Sequence, residues 1–229
     1  MTETSASHIR RYILILVMIA VLAALIMFSA RSGLSYIAQY RLHAAIDSWI
    51  KNSDQKPLLN EWQEMQSMAA DALAADTSNP DLHNGLGRLH EYRASSMALS
   101  KQESLQQMQH AIQHYRQVIL LRPAWPYGYL NLVSSKARIG ALDTEFSQSL
   151  LQLVKRAPWE RNTLPAIVEY STYAWPHLQK GTRTQLQPYL LQAAEKRTKD
   201  VKKSLQQTNL LNFFCSIIAR KETDLTLCR

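Results

Sequence analysis

Residues 111–159, AIQHYRQVILLRPAWPYGYLNLVSSKARIGALDTEFSQSLLQLVKRAPW, decide the fold. Ala111, Tyr115 and Val118 fall at i, i+4 and i+7, so they share one helical face, and Pro123 stops that segment. Phe146, Leu150 and Leu153 repeat the spacing, and Pro158 closes it again. The two prolines stand about 35 positions apart, close to the ~34-residue period of a tetratricopeptide helix pair. Small or medium residues at such positions let the preceding helix approach closely.

The register extends in both directions. Leu132 and Val133 follow Pro123 at the same offsets by which Ile167 and Val168 follow Pro158. Upstream, Asp76-Thr77-Ser78-Asn79-Pro80 resembles the D-P-N-N-P junction of such repeats, with Thr77 where proline usually sits. Leu86 and Gly87 then occupy the Leu-Gly position of a first helix, and Ala69 and Ala72 the small positions of the helix before. The expectation is an all-α chain: one N-terminal transmembrane helix, then a tetratricopeptide-like solenoid of about three helix pairs with a C-terminal cap. The rival is an ordinary helical bundle in which the spacing is coincidental.

Composition agrees with an all-α reading. The chain of 229 residues has 6 glycines and 8 prolines, and it is long enough to bury a sizeable core. Its formal charge of +8 allows contact with anionic lipid, acidic polysaccharide or nucleic acid without choosing among them.

Residues 1–11 form a polar tail ending in Arg10 and Arg11, and residues 12–30 carry no charge. At about 1.5 Å per residue that run spans roughly 28 Å, near the hydrocarbon thickness of a bilayer. A cleaved signal peptide is the alternative, but Phe28 occupies the −3 position of a cut before Arg31, where a small residue is wanted. The reading is therefore an uncleaved anchor. Arginines on both sides of the span nearly balance the positive-inside rule. The two cysteines, Cys215 and Cys228, tip the balance, because a local disulfide belongs to an oxidising compartment such as the periplasm. On one straight helix they would stand about 20 Å apart, too far to bond, so the polar residues 220–224 must reverse the chain between them. Two unpaired thiols, with Cys215 buried beside Phe213 and Phe214, is the other reading.

Residues 31–57 form a connecting helix and linker, in which Leu34, Ile37, Ala38, Leu42, Ala45, Ile46 and Trp49 are expected to dock on the first repeat. The repeat domain covers residues 58–229. Its helices are expected at 58–75 and 82–98, with 100–109 extending the connection into the next helix. Beyond Pro158 they are expected at 162–175 and at 182–205, the latter interrupted at Pro188. Residues 208–219 supply an apolar cap for the open end of the solenoid.

No catalytic constellation is visible: there is no Gly-rich phosphate loop, H-E-x-x-H, C-x-x-C or G-x-S-x-G. His110 and His114 share a helical face, with His83 and His90 on the helix before, yet no Asp or Glu joins them at ligand spacing. No cofactor, metal or enzymatic activity is expected. Two surfaces remain. Trp125, Tyr127, Tyr129 and Trp159 cluster at repeat corners, where such rings usually pack on the neighbouring helix pair; the functional alternative is a face for a partner peptide or sugar ring. Lys196, Lys199 and Lys203 fall at i, i+3 and i+7, a solvated face or one that meets anionic headgroups or an acidic polymer. No aromatic interleaves with these lysines, which argues against a nucleic-acid platform.

These residues carry a resemblance. Arg122-Pro-Ala-Trp-Pro-Tyr-Gly-Tyr129 and Ala157-Pro-Trp-Glu160 resemble the R-P-x-W-P-Y-x-W and G-P-W-E motifs of the VpsP family of polysaccharide biosynthesis proteins. Tyr129 and Ala157 stand where that pattern has Trp and Gly. The membrane span and the C-terminal cysteine pair fit the same family. The resemblance implies a membrane-anchored scaffold in exopolysaccharide synthesis or export, partnered by other proteins of that machinery, and carries over no catalytic residue. A second layout is similar: the anchored tetratricopeptide folding or translocon factors of the YfgM type, which would bind exported chains. The polymer, the step, the partner and the oligomeric state stay open.

Overall fold

The computed structural model describes residues 3–52, 54, 56–218 and 226–228, with side chains from residue 11 onward. Every regular element among the described residues is helical. The chain divides into two compact units, residues 1–85 and 86–229.

The first unit is built on α1 (Glu3–Lys51), which runs without a break from the apolar span into the connecting segment. One such helix is long and apolar enough to cross a membrane. Beyond the span α1 packs on α2 (Leu59–Ala75), burying Ser35, Ala38, Leu42 and Ile46. Leu34 and Ile37 were expected on that face; they are 64% and 59% exposed. Ile37 stands about 120° around the helix from Ala38 and Leu42, whereas Leu34 shares their side but lies one turn nearer the apolar run. Pro57 is buried, and the Leu58 amide donates to Glu61 at 2.7 Å to start α2. The junction at residues 76–80 is a tight turn in which Asn79 caps α3 (Pro80–Ser96): its Oδ1 accepts from the amides of Asp81 and Leu82.

The second unit begins within α3. There α4 (Lys101–Leu121) lies against α3 through Tyr115, whose ring fills the space left by Gly87. Ser100 caps α4 in a reciprocal box with Glu103. Residues 101–109, expected as part of a connection, are thus the first turns of α4. The stretch from Thr77 to Pro123, about twelve residues longer than the expected ~34-residue period, lies mostly in α3 and α4.

Next come α5 (Pro126–Arg138), α6 (Thr144–Arg156), α7 (Thr163–Ala174) with a 3-10 turn at Trp175–His177, and α8 (Lys180–Lys196). They are followed by α9 (Thr198–Gln207), α10 (Leu211–Ile218) and a 3-10 turn at Thr226–Cys228. From α5 to α8, each helix packs on the next and on the next but one. The core is continuous: Phe146, Leu150 and Leu153 of α6 and Leu164, Ile167 and Val168 of α7 are fully or almost fully buried, as the register requires. Leu132 and Val133 are buried in α5, and Ala111, Tyr115 and Val118 in α4.

The long helix expected over 182–205, with its interruption at Pro188, is two helices broken at another position. Pro188 sits inside α8 on an exposed face, and the helix continues past it. The break falls instead at Arg197, with φ −129° and ψ 37°. The Arg197 guanidinium holds Asp200 at 2.6 and 2.8 Å, and the Thr198 hydroxyl takes the Ala194 carbonyl. At the end of the chain Phe214 and Ile218 of α10 are buried, and Leu227 covers them. Cys215 and Cys228 lie at disulfide distance, their Cα atoms 5.8 Å apart. The residues between them that were expected to reverse the chain lie, from 219 to 225, outside the described residues.

Candidate interaction surface

The aromatic corners come from the turns that proline forces between helices. Pro126 opens α5, which places Trp125 at its N-cap and Tyr127 in its first turn. The Trp125 and Tyr127 rings lie 5.4 Å apart, with the Arg122 guanidinium 5.6 Å from the Trp125 ring. The Tyr127 hydroxyl donates to Glu160 in the next turn and accepts from the Asn162 side-chain amide at 3.3 Å.

Tyr129 is different in kind. It is only 7% exposed, its hydroxyl donates to the Pro123 carbonyl at 3.1 Å, and Arg156 of α6 covers its ring at 5.2 Å. It therefore serves the corner as packing and offers no open stacking face. Trp159 sits in the following corner, its ring tilted against that of Tyr189 of α8 with centroids 5.6 Å apart. It remains 37% exposed, with the Lys196 ammonium 5.7 Å from its centre. Tyr189 donates to the Pro158 carbonyl at 2.7 Å, and burial pushes its hydroxyl well above the usual phenol range.

The basic stripe does not survive folding as one face. Lys196 ends α8 and belongs to the Trp159 corner, whereas Lys199 and Lys203 stand exposed one turn apart on α9. The break at Arg197 rotates the two groups relative to each other, so an i, i+3, i+7 argument across it fails.

Three further constellations form only in the folded chain. The first is a groove of about 670 Å³ between α4 and α6, floored by α5. Arg116, Leu120, Gln148, Gln152 and Arg156 line it. Leu120 is 71% exposed there, and the Gln152 Oε1 is buried without a hydrogen-bond partner. The second is an ion network at the groove's edge. Arg116 grips Glu145 with two bonds of 2.7 Å, and the buried Lys136 ammonium reaches Glu145 at 2.6 Å and Asp143 at 2.8 Å. The Arg116 hydrogen bonds, with help from Lys136, pull Glu145 down to about 2 against the effect of its burial. Burial pushes Asp143 up, but the Lys136 bond and the Phe146 amide outweigh it and leave the group lowered. The third is Glu91 of α3, whose carboxylate accepts from Tyr115 at 2.6 Å and from Ser135 at 2.7 Å.

The histidines partly gather. The His90 ring lies 5.2 Å from that of His110 and 5.7 Å from that of His114, and Gln107 bonds its Nδ1 at 2.7 Å. Burial lowers the His90 pKa. Among the described residues no group of three or more His, Cys, Asp or Glu is placed to hold a metal ion. His83 lies in the first unit.

Arg116, Lys136, Glu145, Gln152 and Glu91 had no signal in the linear sequence. They are spread over four helices, with Glu145 and Gln152 both on α6, so only the packing of α3 to α6 brings them together. Comparison of the chain with family models, with curated proteins and with solved structures gave no match.

Proposed function

We propose that this protein is a membrane-anchored scaffold of bacterial exopolysaccharide synthesis or export. In this reading α1 holds it in the inner membrane and a tetratricopeptide-like solenoid projects into the periplasm. The succession in which each helix packs on the next and the next but one supports the solenoid, because a repeat array buries its core only against its neighbours.

The observation that carries the reading is the junction between the two motif segments. The residues that resemble the VpsP motifs lie more than thirty positions apart, yet Tyr127 of one donates its hydroxyl to Glu160 of the other. The same corner leaves Trp159 partly open beside Lys196, an aromatic and a cation on one small surface. A protein partner or an acidic sugar polymer would both find contacts there. The cysteine pair supports an oxidising compartment for this end of the chain.

The test is a deletion strain complemented with wild type or with Trp159→Ala. Loss of secreted polymer with normal folding of other envelope proteins is the expected result, and Trp159→Ala is expected to lower polymer output while leaving the protein's abundance unchanged. Unaltered polymer in the deletion strain would overturn the reading. General envelope stress on deletion would favour a folding or translocon role instead.

A further inference from the structure

α4 and α6 both pack on α5, and the contact between the two of them is slight. The groove of about 670 Å³ lies in that gap, and its volume is that of a ligand site. Its walls differ in kind. α4 contributes Ile119 and Leu120, an aliphatic edge on which Leu120 is mostly open. α6 contributes Glu145, Ser149, Gln152 and Arg156, which at spacings of four, three and four share one face of that helix.

Two groups on the α6 wall are left incomplete by the fold. The Gln152 Oε1 is shut away from solvent without a hydrogen-bond partner, so its donor must come from outside the chain. The Arg156 guanidinium is exposed, with one long bond of 3.4 Å to the Tyr129 hydroxyl and, among the described residues, no carboxylate partner. Arg116, the other cation lining the groove, is neutralised by Glu145. One uncompensated positive charge therefore stands at the end of α6, about 16 Å along the helix from the neutral pair at its start.

These features select an occupant. Anionic headgroups and nucleic acid are held by several cations, and the groove offers one. A sugar ring stacks on an open aromatic face. Tyr129, the one aromatic residue lining the groove, is buried with Arg156 over its ring. An extended peptide meets every demand. Its backbone amides supply the donor that the Gln152 carboxamide lacks, aliphatic side chains cover Leu120, and a carboxylate completes Arg156. About five residues at roughly 3.3 Å each span the distance from Glu145 to Arg156.

We infer that the groove between α4 and α6 binds a short extended segment of a partner protein, aliphatic in its middle and carrying a carboxylate at the Arg156 end. The site uses neither the membrane anchor nor the Trp159 corner, so it stands or falls independently of the role proposed above.

Full-length tagged protein in detergent, laid over a peptide array that varies aliphatic, acidic, basic and polar residues at every position, tests it. The bound set should be enriched in peptides with Leu, Ile or Val at the centre and Asp, Glu or a free C-terminus at one end. The best of them, labelled, is then titrated by fluorescence anisotropy. Leu120→Asp should abolish its binding. Arg156→Gln should weaken it about tenfold, as expected for loss of a charge-assisted bond, and erase the preference for a carboxylate. Both side chains are exposed, so neither change should lower the melting temperature. Gln152→Met should weaken binding several-fold yet melt no lower than wild type, because it removes an unsatisfied polar group at nearly constant shape. Gln206→Ala, exposed on α9, should bind as wild type does. An array without bound peptides, a bound set that prefers basic residues, or affinities unmoved by the three groove substitutions would overturn the proposal. Binding of alginate that Leu120→Asp removes would put an acidic sugar polymer in the groove and overturn the peptide.

Discussion

Asn79 and Ser35 are bonded across two helices: the Asn79 side-chain amide donates to the buried Ser35 hydroxyl of α1 at 2.7 Å. The same side chain caps α3 through its Oδ1, at 2.9 Å from the Asp81 amide and 3.2 Å from that of Leu82. One residue thus ends the turn at residues 76–80 and ties it to α1.

Replacing it should separate the two roles. Asn79→Ala loses the cap, worth about 1 kcal/mol, and leaves the Ser35 hydroxyl buried without its donor, at a further cost of about 1–3 kcal/mol. Asn79→Ser keeps a capping oxygen but is too short to reach Ser35, so its loss of stability should be intermediate. Thermal unfolding of the full-length protein in detergent, followed by helical circular dichroism, checks the order. Equal losses in the two variants would refute a dual role.

Acid should weaken the α5–α6 corner through Glu145. Its carboxyl is held at about 2 by Arg116 and Lys136, below the ordinary value of 4.5. A carboxyl lowered on folding contributes its stability above the unfolded value and loses it as pH falls toward the folded one. The melting temperature should therefore drop between 4.5 and about 2. Glu145→Gln should melt lower than wild type near neutrality, and the difference should shrink progressively across that window. A constant difference at every pH would contradict the assignment.

The crossing of α3 and α4 should be intolerant of a methyl group. A Cβ on Gly87 would fall 2.5 Å from the Tyr115 ring, and that ring is fully buried. Overpacking of about 1–3 kcal/mol should outweigh the gain of about 1 kcal/mol in helix propensity for Gly87→Ala. Ala111→Trp, at a fully buried position of α4, should be as damaging. Lys203→Ala, exposed on α9, should change stability by no more than about 0.5 kcal/mol. Urea midpoints measure all three, and similar shifts for Gly87→Ala and Lys203→Ala would count against the crossing.

The cysteine pair should be oxidised in cells. Cys215 lies in α10 and Cys228 in the final 3-10 turn, with a sequence separation of 13 and Cα atoms close enough to bridge. A loop of that size stabilises the chain end by roughly 3 kcal/mol in the entropic account. Alkylation with a mass tag should modify neither cysteine before reduction and both after it. Full labelling without reductant would exclude the bond and remove the support for a periplasmic domain.

The linear sequence by itself determined the elements whose cause is local. A charge-free run of bilayer length announces the span at residues 12–30. Pro123 and Pro158 lie just beyond the ends of α4 and α6, because proline lacks an amide proton and clashes with the preceding turn. The buried faces of α4, α6 and α7 follow from a 3.6-residue period that needs no knowledge of the partner. The Ser100–Glu103 capping box marks the start of α4, although residues 100–109 were expected to extend a connection. Tertiary structure decided the rest. Leu34 and Ile37 match an apolar period as well as Ala38 and Leu42 do, and only the position of α2 makes one pair core and the other surface. α8 runs through Pro188 and ends instead at Arg197, where an ion pair to Asp200 and a threonine bond to the turn before hold the break. The Arg116–Glu145–Lys136 network and the groove beside it unite three helices. Charge attraction between residues far apart in sequence leaves no periodic mark, so such a surface exists only once α4, α5 and α6 have packed.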